Sequence, residues 1–177
     1  MNIVELSKGG MIALFRSRWA DFIHISRSTD NGLSWSDPVP TSLPNNNSSI
    51  QCTRLRDGRV ALVYNHSSAA NAAERRTSLY DEIEGNTAQE AAKPTGRQAF
   101  SGAPRAPMSL VFSTDDGATW PARRDLETGD GYCMSNNSID RINREFSYPT
   151  LLEAPDGSLD IAFTYFRQGI KHVKLHI

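Results

Sequence analysis

The chain has 177 residues, a formal net charge of -1 and 38% hydrophobic residues, which suits one soluble globular unit. Charges of both signs are interspersed without a long single-sign run, and no stretch of about 18 apolar residues occurs, so neither a nucleic-acid partner nor a membrane span is expected. No signal-like apolar segment follows Met1, which leaves a cytoplasmic location as the default expectation, and Cys52 and Cys133 have no zinc or haem spacing, so no metal or cofactor is expected. Cys52 lies in an apolar run, where a buried free thiol is expected.

In chain order, short β-branched and aromatic runs predict strands at residues 11–15, 22–26, 49–55, 60–65, 108–113, 148–153, 159–166 and 170–177, with a further inner strand near 2–6. Gly-containing pairs stand between them at 9–10, 57–58, 116–117 and 156–157, where Gly supplies the positive φ of a tight hairpin turn. The polar, Ala-rich stretch 67–104 reads as a loop insertion, with a helical turn or a surface loop as alternatives for residues 71–83. A shorter insertion covers 127–144.

The hairpins form a repeating unit of strand, turn, strand, connection and a third strand ending in a nine-residue phrase. That phrase is RSTDNGLSW at 27–35 and FSTDDGATW at 112–120. The copies stand 85 residues apart, and the insertion occupies 38 of these, so the underlying period is 47. A period of about 40 to 50 suits propeller blades, which gives three blade-like units over 1–45, 46–126 and 145–177. Since propellers close with about four to eight blades, three imply an incomplete ring, completed by more of a longer protein or by self-association.

Both phrases fit SxDxGxxW, with Ser28, Asp30, Gly32 and Trp35 in one and Ser113, Asp115, Gly117 and Trp120 in the other. An Asp carboxylate can accept N–H bonds within its own turn, Gly takes the positive φ, and Trp buries its ring, so the phrase reads as a turn lock. The sequence here resembles the Asp-box, or bacterial neuraminidase repeat, family, whose best-known members are sialidases. The resemblance implies an all-β fold of about three four-stranded antiparallel blades from the C-terminal half of a six-bladed propeller, with Asp boxes on the face away from the site.

It also implies site residues. Tyr148, eight residues before Asp156, matches a Tyr nucleophile. Arg105, eight residues before Ser113, and Arg16, six after Gly10, match arginines that grip a substrate carboxylate, and all three are expected to converge on one pocket. Asn46, Asn47, Ser48, Asn65 and His66 form a polar group suited to sugar hydroxyls or to turns. Arg167, Lys171 and His172 resemble the tail of the broader sialidase-like family. The family's Glu base, acid Asp and first arginine align before Met1, so this chain alone is expected to be inactive. Thr164 stands where sialidases carry a Glu. Three functions follow as alternatives: a glycoside hydrolase acting on an acidic sugar, a non-catalytic carbohydrate-binding propeller, or a uronic-acid lyase using Tyr148 with His66 or His172.

Overall fold

The computed structural model describes residues 1–72, 98–133 and 144–177. Among the described residues, eleven strands build three antiparallel sheets. The first comprises β1 (Asn2–Glu5), β2 (Met11–Phe15), β3 (Phe22–Ser28) and β4 (Val39–Pro44) in that order. The second comprises β5 (Gln51–Arg54), β6 (Val60–Asn65), β7 (Met108–Ser113) and β8 (Ala122–Glu127). Among the described residues the third holds β9 (Phe146–Glu153), β10 (Leu159–Tyr165) and β11 (Gly169–Leu175), one strand short of the four expected of a full blade. A 3-10 turn, Ala69–Asn71, opens the long insertion. Most of residues 71–83, for which a helical turn was one expectation, lies outside the described residues.

Burial explains the order of the sheets. All six residues of β6, VALVYN, are buried. Side chains alternate across a strand, so Val60, Leu62 and Tyr64 face one side and Ala61 and Val63 the other. The first set meets Ile12, Leu14 and Ile25 of the first sheet, and the second set meets Phe146, Ile161 and Phe163 of the third. The second sheet is therefore the middle blade, closed on both faces. The inner strands β1, β5 and β9 lie side by side. Asn2 ties the first two: its amide donates to the Ile50 carbonyl at 3.0 Å, and its oxygen accepts from the Cys52 N–H at 3.0 Å.

This is a partial β-propeller, with an arc of blades that does not close. Strand direction then sorts the turns. The hairpins at Gly9–Gly10, Gly58 and Gly157 and both SxDxGxxW phrases fall at one end of the blades, while Arg16, Asn65, Arg105, Tyr148 and Arg167 fall at the other. Gly10 shows why the first hairpin needs glycine: at φ +82, an added Cβ would sit 2.8 Å from the Ser28 carbonyl oxygen.

Candidate functional site

The two phrases are turn locks at the hairpin end. In the first, the Ser28 hydroxyl donates to Asp30 at 2.8 Å and accepts from the Gly32 N–H at 2.8 Å, while Asp30 accepts from the Ser34 N–H at 2.9 Å and from its hydroxyl at 2.5 Å. The second repeats this with Ser113, Asp115, Gly117 and Thr119. These bonds, the Ser34 and Thr119 hydroxyls first, hold both carboxyls down at about 2. The residue before each Trp supplies two of the bonds, a role that sequence reading assigned to no residue. Gly117 brings the second lock against the first sheet, where an added Cβ would stand 3.1 Å from Ile25 and 3.3 Å from Ile12. Trp120 is buried in that seam. Trp35 is only half-buried, because no other sheet among the described residues covers the corresponding face of the first blade.

At the opposite end, three segments meet. Arg105 and Glu145 form an isolated parallel bridge, and the Phe146 N–H donates to the Arg105 carbonyl at 2.9 Å. The Phe166 N–H donates to the Glu145 carbonyl at 2.9 Å, which brings in the β10–β11 turn. Asn65 fastens the junction: its amide nitrogen donates to the carbonyls of Arg105 at 2.9 Å and Phe146 at 3.0 Å, and its oxygen accepts from Asn46. Both asparagines are thus occupied in holding backbone and are buried away from any ligand.

The side chains at this junction form a charge cluster. Glu145 is wholly buried. Its Oε1 accepts from Arg105 Nη1 at 2.9 Å, from Arg167 Nε at 2.7 Å and from the Ser147 hydroxyl at 2.9 Å. A buried carboxylate survives only when paired in this way. Burial works against the charge of Arg167, but the bond to Glu145 and its charge outweigh this and hold the guanidinium above its ordinary range. Two guanidiniums thus share one carboxylate oxygen. Arg105 uses Nη1 alone, so the other edge of its fork has no partner among the described residues.

The backbone under the cluster is strained. Phe166 and Arg167 have φ of 51° and 54°, and the Gln168 N–H bonds the Tyr165 carbonyl at 3.0 Å, the hallmark of a type I′ hairpin, a turn that normally takes Asn-Gly. Tyr148 likewise has a φ of 52°. Bulky residues avoid this region, and such outliers concentrate at functional sites. Tyr148 is 60% exposed and carries part of the electrostatic environment of Arg167. With Arg16, Gln51 and Asn2 it lines a cavity of about 530 Å³ beside the inner strands.

The expected convergence is therefore divided. Arg16 and Tyr148 share the cavity, while Arg105 is drawn to Glu145 and Ser147 and is not among the cavity's lining residues. Arg167 joins Arg105. Asn47 donates to the Phe100 carbonyl at 3.1 Å and braces a loop. His66 stands against the Tyr64 hydroxyl, 2.5 Å from its Nδ1, with its basicity lowered by burial and by Arg123. His172 pairs with Asp160 on the outward face of the third sheet, and Lys171 pairs with Glu127 on the other face. Glu145 and Ser147 were missed. The one available signal was a glutamate three residues before Tyr148, at the first position of the third blade-like unit.

Cys52 is a buried free thiol that burial pushes up to about 12, and Cys133 is buried as well. Among the described residues, no helix is long and apolar enough to cross a membrane, and no group of three metal-binding side chains occurs.

The profile of the BNR repeat-like domain matches residues 1–161. The chain belongs to the BNR repeat-like family. A search of curated proteins found no match. Among solved structures it is similar to the NanB sialidase of Streptococcus pneumoniae in complex with a chlorobenzyl-ammonio-ethanesulfonate, at TM-score 0.62 and 16% identity, over 99% of this chain and 23% of that one. It is also similar to the intramolecular trans-sialidase of Ruminococcus gnavus in complex with oseltamivir carboxylate, at TM-score 0.60 and 15% identity, over 99% and 32%. The leech intramolecular trans-sialidase, complexed with 2,7-anhydro-Neu5Ac, gives 0.59 and 15%, over 98% and 22%. This BNR chain thus has a sialidase-like fold and spans under a third of each of these proteins.

Proposed function

We propose that the intact protein is a sialidase-like glycoside hydrolase acting on an acidic sugar, and that this chain supplies the carboxylate clamp and the nucleophile. The observation that carries this reading is the pair of guanidiniums anchored on wholly buried Glu145 beside exposed, left-handed Tyr148. The free edge of Arg105 suits bidentate binding of a sugar carboxylate, and Arg16, exposed in the neighbouring cavity that Tyr148 lines, adds a second cation. That two of the similar structures hold a carboxylate and a sulfonate agrees with an anion site. The Tyr148 oxygen attacks the anomeric carbon, the aglycone leaves with a proton from an acid, and water then releases the sugar from the tyrosyl adduct with retention. A phenol avoids the repulsion that a carboxylate nucleophile would meet beside the substrate's own carboxylate. Among the described residues no carboxylate contacts the Tyr148 hydroxyl, so its base comes from elsewhere in the intact protein.

That last observation favours a second reading, a non-catalytic carbohydrate-binding propeller. Thr164 supports it, since its hydroxyl donates to the Ser147 carbonyl at 3.1 Å where sialidases place a glutamate. The lyase reading gains nothing from the geometry, because neither His66 nor His172 lines the cavity with Tyr148. The test is Tyr148→Phe in the intact protein with an aryl sialoside and an aryl glucuronide. The hydrolase reading expects loss of most turnover with sugar binding retained. Unaltered turnover overturns it, and binding without any turnover in the unsubstituted protein leaves the binding propeller.

A further inference from the structure

The strand that carries Tyr148 is irregular. Phe146 and Leu151 both pack in the core between the second and third sheets, yet they stand an odd number of residues apart, which strict alternation along β9 forbids. The register shows how both are accommodated. Leu151 pairs with Ile161 and Phe146 with Tyr165, while Tyr148 and Pro149 together oppose the single residue Phe163. Two residues against one make a β-bulge. An unbroken strand would send Tyr148 into the core on the side of Phe146. The bulge turns it outward instead, beside the cavity that it lines with Arg16 and Pro149.

Such a bulge commonly takes glycine at its first position, in the left-handed region, and Tyr148 holds that position at φ 52°. Pro149 has no N–H to give the ladder, and an interruption of this kind is where a sheet admits proline. The φ of Tyr148 follows from the orientation of the peptide between Ser147 and Tyr148. The Thr164 hydroxyl donates to the carbonyl of that peptide at 3.1 Å. Thr164 also pairs with Ser147 across the strands, at the register position next to the bulge, so the hydroxyl is presented from regular sheet.

Resting on the hydrolase reading above, we propose that Thr164 is a positioning residue for Tyr148. Acting through the Ser147 carbonyl, it holds the bulge that aims the phenol at the substrate. Ser147 carries the effect in both directions, because its own hydroxyl donates to Glu145 at 2.9 Å and accepts from Arg105 at 3.2 Å. The aim of the nucleophile and the arrangement of the carboxylate clamp are thereby fixed on one residue. The residue that departs from the sialidase glutamate thus has a task of its own in the hydrolase.

Kinetics of the intact protein with an aryl sialoside and an aryl glucuronide test the assignment, together with NMR of isotope-labelled tyrosine rings, in which the Tyr148 signal is identified by its loss in Tyr148→Phe. Thr164→Val keeps the shape of the side chain and removes the hydroxyl. It should lower kcat about tenfold or more while changing KM less than about twofold, because a misplacement of about 1 Å is costly to a reacting atom, and it should shift the Tyr148 signal. Thr164→Ser restores the hydroxyl and should return both readouts towards those of the unsubstituted protein. An unchanged kcat in the Val variant, or equal losses in the Val and Ser variants, overturns the positioning role and leaves the hydrolase reading standing. Absence of turnover in the unsubstituted protein overturns the hydrolase reading, and the ring signal then decides alone whether Thr164 sets the place of Tyr148: a signal unmoved by Thr164→Val overturns that as well.

Discussion

Glu145 decides how the site's cations are arranged, and it does so through one oxygen shared by two arginines and a serine. Removing one partner from a buried ion pair costs about 3 to 5 kcal/mol, because the other is left uncompensated. Arg105→Ala should therefore lower unfolding stability by about 3 kcal/mol in urea titrations, Arg167 softening the loss. Arg105→Lys keeps the charge and should cost about 1 kcal/mol, yet it should lower affinity for an acidic sugar about tenfold, as a point charge cannot reproduce the fork. Equal affinity for the Lys variant would place the ligand's carboxylate elsewhere. Arg105 and Tyr148 could be singled out in the sequence because their offsets from an SxDxGxxW phrase and a DG turn survive any loop length, and Arg167 only by its resemblance to the tail of sialidase-like proteins. Glu145 was not, since its role depends on a bridge to a residue 40 positions away and on a turn 22 positions on, neither of which leaves a local pattern.

At the scale of elements, the repeated phrase was the most legible feature, because every bond it makes lies within its own few residues. Its burial was not, since the two copies meet different neighbours. Trp120 fills the seam between the first two sheets, so Trp120→Ala should cost about 3 to 5 kcal/mol by loss of a large packed ring. Trp35→Ala removes only a half-buried ring and should cost about 1 to 2 kcal/mol. Equal costs would contradict the seam assignment. The locks also set acid sensitivity. Asp30 and Asp115 are held at about 2 in the fold against 3.8 in the ordinary state, so the unfolded chain binds protons first as pH falls. The stabilisation is complete above about pH 4 and is lost as pH falls through about 2. Melting temperature should accordingly drop over that window, and Asp30→Asn with Asp115→Asn should make the drop shallower. An unchanged profile would assign the acid transition to other carboxyls, of which Asp156, bonded to Ser158 and Lys174 and likewise held low, is the first to examine.

At the scale of the molecule, the blade period was legible once the insertion was set aside, because hairpins of similar length repeat whatever lies between them. The consequences of an open arc were legible only in outline. Two closed seams hold Ile, Leu, Val and Phe between adjacent sheets, whereas the outward face of the third sheet carries Leu152 and Ile170, both exposed, beside Thr150 and Ala162. Register places Leu152 opposite Asp160 and Ile170 opposite Thr164, so both point away from the core strip of Ile161 and Phe163. Exposed apolar side chains of this kind, set beside the His172–Asp160 pair on a sheet face left in water, favour association. The full chain should therefore show a sedimentation coefficient that rises with concentration in the micromolar range, since two such faces brought together bury side chains worth about 1.5 to 3 kcal/mol each. Leu152→Lys with Ile170→Lys should abolish that rise without altering the melting temperature, because neither side chain packs in the fold. Neither side chain lines the axial cavity, so sugar binding there should be unchanged in the double variant. A concentration-independent monomer in the unsubstituted chain would show that the third sheet's face, despite its composition, is not an association surface.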